Sequence, residues 1–313
     1  MTKSTKRLMY IFTAISAALA ICGGALRRIQ YLTVIDAETG LAEPWAPISL
    51  VLLASCALII IGSFLMSRAV SRSINVSGRV LQEMFAAPAK APRLLLPLLS
   101  CVAMAFIVVT AFSYYIAVRK GLVPALERFA PDAVMTVFTA LAGLAVLTLG
   151  LRIANFAGIR GKSSEVKLAL AVLTIFPCYH MVLTYLNYVP LPNLLLYSYD
   201  MIALGAVALA ALYTAGFAFT PETASPKWTL MFLWIATTLN GIAAGNPAQP
   251  RFRGIFIFHA AVCFAAALLF TSNSALSPAG DEQIPLAEAE AADEDADEAA
   301  DEAEDADDDL NEV

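Results

Sequence analysis

The sequence predicts an all-α, polytopic integral membrane protein: a bundle of about eight transmembrane helices followed by a disordered acidic C-terminal tail. Three observations carry this. Of 313 residues, 59% are hydrophobic and only 15% are charged, with a mean hydropathy of +0.71; a soluble domain is nearer half apolar and a quarter charged. The apolar residues fall in charge-free blocks of 18 or more, long enough to cross a hydrocarbon core of ~30 Å as helices. Backbone facing lipid must satisfy its hydrogen bonds internally, which makes helices the default for such blocks.

The predicted spans are 8–26, 48–66, 94–118, 133–151, 168–189, 200–219, 228–244 and 254–272, with the seventh the least apolar. They make one transmembrane domain over 1–275, and Pro177 is expected to kink the fifth. The first span has a second reading. MTKSTKRLMYIFTAISAALA has the basic start, apolar middle and Ala-Leu-Ala ending of a signal peptide. Its apolar run continues to Leu26, however, as in an uncleaved helix, and Leu19-Ala20-Ile21-Cys22 makes a poor lipobox.

Lys and Arg in the loops set the orientation. With a cytoplasmic N-terminus, that side collects thirteen, from Lys3 to Lys227, and the other side seven, among them Arg27 and Arg28. Eight crossings then return the C-terminus to the cytoplasm. The expected location is a bacterial plasma membrane, with both termini inside.

From Asp281 the chain reads DEQIPLAEAEAADEDADEAADEAEDADDDLNEV, seventeen acids and no base. Such a segment buries too little to offset its ordering entropy, so disorder is expected over 276–313. The rest holds twenty basic residues against nine acids, a formal +11 hidden beneath an overall −6. Three readings of the tail stand: a spacer, contact with a basic protein partner, or a latch onto the chain's own basic loops 68–93 and 152–167. Nothing points to nucleic acid.

The segment 68–85 places Arg68, Arg72, Asn75 and Arg79 on one helical stripe. Val70, Ile74, Ser77, Leu81, Met84 and Phe85 lie roughly opposite. Two readings follow. Either the helix lies on the anionic inner leaflet with its arginines as headgroup contacts, or it is an ordinary cytoplasmic linker.

GGAL followed by RRIQYLTVIDAETGLAEPW resembles a segment of uncharacterised multi-pass bacterial membrane proteins. The resemblance covers about thirty residues, implies membrane location and carries over no activity and no functional residues.

Ionisable groups are scarce inside the spans. His180 and His259 are the only histidines. On a helical wheel His180, Thr184 and Asn187 form one polar stripe beside Tyr188. Tyr185, Tyr188, Tyr197 and Tyr199 cluster where an interfacial aromatic belt belongs. Asp200, at the predicted start of the sixth helix, is expected to cap it, favoured by the helix dipole. The substrate-path candidates are His180, Thr184, Asn187, Tyr188 and Asp200. Two axial imidazoles would suit a haem, but no other cofactor signal accompanies the pair; no cofactor and no metal site is expected. The five cysteines each stand alone in a different span, as buried structural thiols do. No catalytic motif appears. Small residues such as Ala206 and Ala210 in the sixth span suit close helix packing.

Two functions therefore compete. The one the sequence favours is a non-catalytic scaffold or accessory subunit working through basic loops and the acidic tail. The alternative is a small-solute permease with a polar path on the fifth helix.

Overall fold

A computed structural model describes residues 3–36, 43, 45–71, 81–85, 129–154, 164–188, 194–247 and 250–274, with isolated positions between 108 and 119. The acidic tail, the predicted span 94–118, and the basic residues Arg72 and Arg79 lie outside the described residues. The described residues form seven long helices and one short one: α1 (Lys3–Thr33), α2 (Pro47–Ser71), α3 (Leu81–Phe85), α4 (Phe129–Ala154), α5 (Ser164–Tyr188), α6 (Leu194–Phe219), α7 (Pro226–Ala244) and α8 (Pro250–Asn273). Among them there is no long strand. Five stretches are long and apolar enough to cross a membrane: Thr5–Thr33, Pro47–Val70, Ser164–Leu186, Ser198–Phe219 and Phe252–Asn273. In α4 the apolar stretch is shorter, Val137–Arg152, and α5 continues through Pro177.

The central helix, α7, is not among these five stretches. α7 packs against α1, α2, α6 and α8, while α5 reaches α4 on its outer side. Most of the buried polar groups of α7 are satisfied by its own turns and its neighbours, Asn240 Oδ1 being an exception among the described residues. Trp234 Nε1 donates to Thr13 Oγ1 at 2.9 Å, and Thr238 Oγ1 donates to the Ser16 carbonyl at 3.0 Å. Asn240 Nδ2 donates to the carbonyls of Ala203 on α6 (3.1 Å) and Ala236 (2.8 Å). Hydropathy ranks a helix by its own side chains, so it underrates one whose polar groups are paired inside a bundle.

Small residues let α1 and α7 touch backbone to backbone. A Cβ on Gly24 would stand 2.6 Å from the Gly241 carbonyl oxygen, and one on Gly241 would stand 2.6 Å from Ala20 Cα. A Cβ on Gly245 would collide with the Gly24 carbonyl. Gly245 has an ordinary φ of −74°, so the close approach, not backbone conformation, demands glycine there. Gly241 and Gly245 form a G-x-x-x-G pair against Ala20 and Gly24, the small-residue packing that membrane helices use in place of a hydrophobic drive.

These pairings fix relative direction. Thr13 meets Trp234 and Gly24 meets Gly245, so α1 and α7 run parallel for eleven residues, about 16 Å. Tyr10 pairs with Ser272 at 3.0 Å, and Lys227 lies 5.1 Å from the Phe64 ring centre, so α8 and α2 run the opposite way.

The described residues of the predicted apolar face of 68–85 turn into the bundle, while Ile74 and Ser77 lie outside the described residues. Val70, Leu81, Met84 and Phe85 are buried, Phe85 against the rings of Phe217 and Phe270 at 6.3 and 5.6 Å. Asn273 Nδ2 holds α3 through the Met84 carbonyl at 3.0 Å. Arg68 is exposed.

Candidate polar site within the bundle

The first polar cluster lies at the end of the bundle where α1 finishes. The sequence reading ends the first helix at Leu26 and gives Arg27 to a solvated loop. Instead α1 continues to Thr33, and Arg27 and Gln30 point inward, each 0% exposed. Arg27 continues the face that Thr13, Ser16, Ala20 and Gly24 turn toward α7. Its Nη1 donates to Gln30 Oε1, and Gln30 Nε2 donates to Ser49 Oγ on α2 at 2.7 Å. The guanidinium carbon sits 4.6 Å from the ring centre of Tyr199 on α6, within range of a cation–π contact.

Asp200 adjoins Tyr199. Because α6 begins at Leu194, six residues before the predicted start, Asp200 lies in the second turn and does not cap the helix. It is fully buried, and Asn246, just beyond α7, donates Nδ2–H to its Oδ2 at 3.1 Å. The charge of Arg27 acts on this carboxylate. Its Oδ1 is buried with no hydrogen-bond partner among the described residues. Tyr199, expected in an interfacial belt, is buried with the cluster, whereas Tyr185 is exposed. Arginine and aspartate together keep the cluster formally neutral, which limits the cost of holding two charges in a low-dielectric interior.

The second cluster lies between α5 and α8. His180 and Thr184, one turn apart on α5, are both buried, and His259 on α8 is buried beside them. The His180 ring lies 4.7 Å from Phe252 and 5.4 Å from Phe256. Phe176 packs against both imidazoles, at 6.4 Å from His180 and 5.3 Å from His259. The two histidines therefore face a shared phenyl ring, a poor fit to axial ligation of one haem. Both ring nitrogens of His180, the hydroxyl of Thr184 and Nε2 of His259 make no hydrogen bond among the described residues. Thr184 is unusual in this. Helical threonines 13, 139, 148, 174, 214, 237 and 271 each donate to the carbonyl four residues earlier, the common way for a buried hydroxyl to be satisfied.

Of the predicted path residues, the structure thus buries His180, Thr184 and Asp200, while the side chains of Asn187 and Tyr188 lie outside the described residues. Arg27, Gln30 and Asn246 are functional candidates that sequence reasoning missed. Their signal was present for α1: positions 13, 16, 20, 24, 27 and 30 make one helical stripe of small and polar residues running past the predicted boundary. The described cysteines are not all buried as expected: Cys22 and Cys178, the latter on the side of α5 away from His180, are exposed, and only Cys56 and Cys263 are buried. No three His, Cys, Asp or Glu side chains come together among the described residues. No protein-family model matches this chain, and neither does any curated protein or solved structure.

Proposed function

We propose that this membrane protein is a small-solute permease whose polar path passes His180 and Thr184 on α5 and Asp200 on α6. The observation that carries it is the burial of Asp200 with one carboxylate oxygen held by Asn246 and the other unpartnered. An ionisable group inside a membrane is costly and by default marks a functional site. A scaffold would gain nothing from it, whereas a transport site uses it to hold a solute. The open oxygen accepts hydrogen bonds, so the solute class is a small polar molecule with N–H or O–H donors. His180 and Thr184 supply further groups able to donate or accept. Arg27, engaged by Tyr199 and Gln30, positions the carboxylate by its charge and does not itself meet the solute.

In this reading α4 and α7 cross the membrane beside the five apolar spans, and 94–118 completes eight crossings. The excess of Lys and Arg on the N-terminal side supports both termini in the cytoplasm. The test is thiol accessibility. Thr184→Cys is made with Cys22, Cys56, Cys101, Cys178 and Cys263 replaced, and outward-facing native Cys178, as the sole cysteine, is the control. Sealed membranes of both orientations are treated with a charged, impermeant maleimide. Labelling at 184 but not at 178 is expected, because water follows the path; no labelling at 184 from either side would sink the permease reading.

A further inference from the structure

Asn240 stands on the face of α7 that meets α6, and it is 0% exposed. Its Nδ2 has two carbonyl partners, Ala203 on α6 at 3.1 Å and Ala236 one turn back on α7 at 2.8 Å. Turning the amide over would set its oxygen against two carbonyl oxygens, so these bonds fix which way the group points. Oδ1 is thereby held as an acceptor, buried and without a hydrogen-bond partner among the described residues.

Asp200 repeats the arrangement one turn away on α6, three residues before Ala203. Asn246 holds its Oδ2 at 3.1 Å, and its Oδ1 has no partner among the described residues. Two open oxygens, each fixed through the other end of its own group, therefore stand at successive levels of the α6–α7 seam. Helix packing accounts for the donors of Asn240 but not for its oxygen. Neighbouring Thr237 and Thr238 show how α7 satisfies a polar group kept for packing: their hydroxyls donate to the Leu233 and Ser16 carbonyls at 2.7 and 3.0 Å.

We infer that Asn240 is a solute contact, the next along the path from Asp200; the inference rests on the permease reading and adds a residue and a direction to it. The pair also narrows the solute. An ionised carboxylate and an amide oxygen only accept hydrogen bonds, so both welcome a donor and neither holds an anion. The class is a small amine or its ammonium form, passed from Asp200 Oδ1 to Asn240 Oδ1. Both oxygens are buried here, so the solute reaches them when α6 and α7 slide apart, a small shear of packed helices.

The test places single cysteines in the otherwise cysteine-free full chain: Asn240→Cys, Asn246→Cys and, on the side of α7 facing α1, Thr238→Cys. Sealed membranes of both orientations are treated with 2-aminoethyl or 2-sulfonatoethyl methanethiosulfonate, each rate taken relative to that reagent's rate with a free thiol. The expected result is modification at 240 several-fold faster by the ammonium reagent, and none at 238. Modification at 246 but not at 240 overturns the inference and leaves the permease reading standing. No modification at 240, at 246 or at Thr184→Cys removes both. Equal reaction at 240 and 238, or a sulfonate rate at 240 matching the ammonium rate, also overturns the inference. If the 240 variant fails to insert, Ala236→Cys, which keeps Asn240 and lies one turn along the same face, decides by the same comparison.

Discussion

The guanidinium of Arg27 lies over the ring of Tyr199, 4.6 Å from its centre, and so ties the end of α1 to the second turn of α6 beside Asp200. Arg27 and Asp200 are both buried and bring opposite formal charges to this end of the bundle, and removing one leaves the other uncompensated, at a cost of up to about 3–5 kcal/mol. Arg27→Ala and Asp200→Ala are therefore each expected to destabilise by about 3 kcal/mol, and the double variant by clearly less than the sum. Reversible unfolding in mixed micelles measures the cycle. Additivity within about 0.5 kcal/mol would separate the two residues energetically.

The α1–α7 contact predicts opposite outcomes for two glycine-to-alanine changes. Gly245→Ala drives a methyl into the Gly24 carbonyl, while a Cβ at Gly205 meets nothing within 4 Å. Overpacking costs about 1–3 kcal/mol, and losing a mid-helix glycine gains up to about 1 kcal/mol. Gly245→Ala should lower the thermal midpoint in detergent, and Gly205→Ala should hold or raise it.

Trp234 and Thr13 join the same helices through one hydrogen bond at 2.9 Å, with Phe12 edge-on to the indole at 4.8 Å. Trp234→Phe removes the donor and keeps most of the ring; the expected loss is on the order of 1–2 kcal/mol. Thr13→Val removes the acceptor and strands the indole N–H. Combined with Trp234→Phe it should add little. A cost for Thr13→Val that stays the same in both backgrounds would show that the bond contributes nothing.

Much of this architecture was legible in the chain. Charge-free blocks located every long described helix, because hydrocarbon thickness and backbone hydrogen bonding leave few alternatives. The ends were less legible. Arg27 and Asp200 were read as boundary residues because ionisable groups are expected in water, yet each lies inside a helix and faces the interior. Pairing in three dimensions, invisible to a hydropathy profile, makes their burial tolerable. The same blindness ranked α7 weakest, although Trp234, Thr238 and Asn240 find partners on α1 and α6. The stripe His180–Thr184 was legible from helical spacing alone. His259 joins it only because α5 and α8 pack together through Phe176.

The most direct test of the polar path is the charge selectivity of thiol modification beside Asp200. Asn246→Cys, as the only cysteine in the full chain, would be exposed to small cationic and anionic methanethiosulfonate reagents in sealed membranes of both orientations. The account predicts that both reagents react, the cationic one several-fold faster, and that adding Asp200→Asn erases the difference. No modification from either side, or equal rates that Asp200→Asn leaves unchanged, would contradict it: Asp200 would then be a sealed structural pair to Arg27.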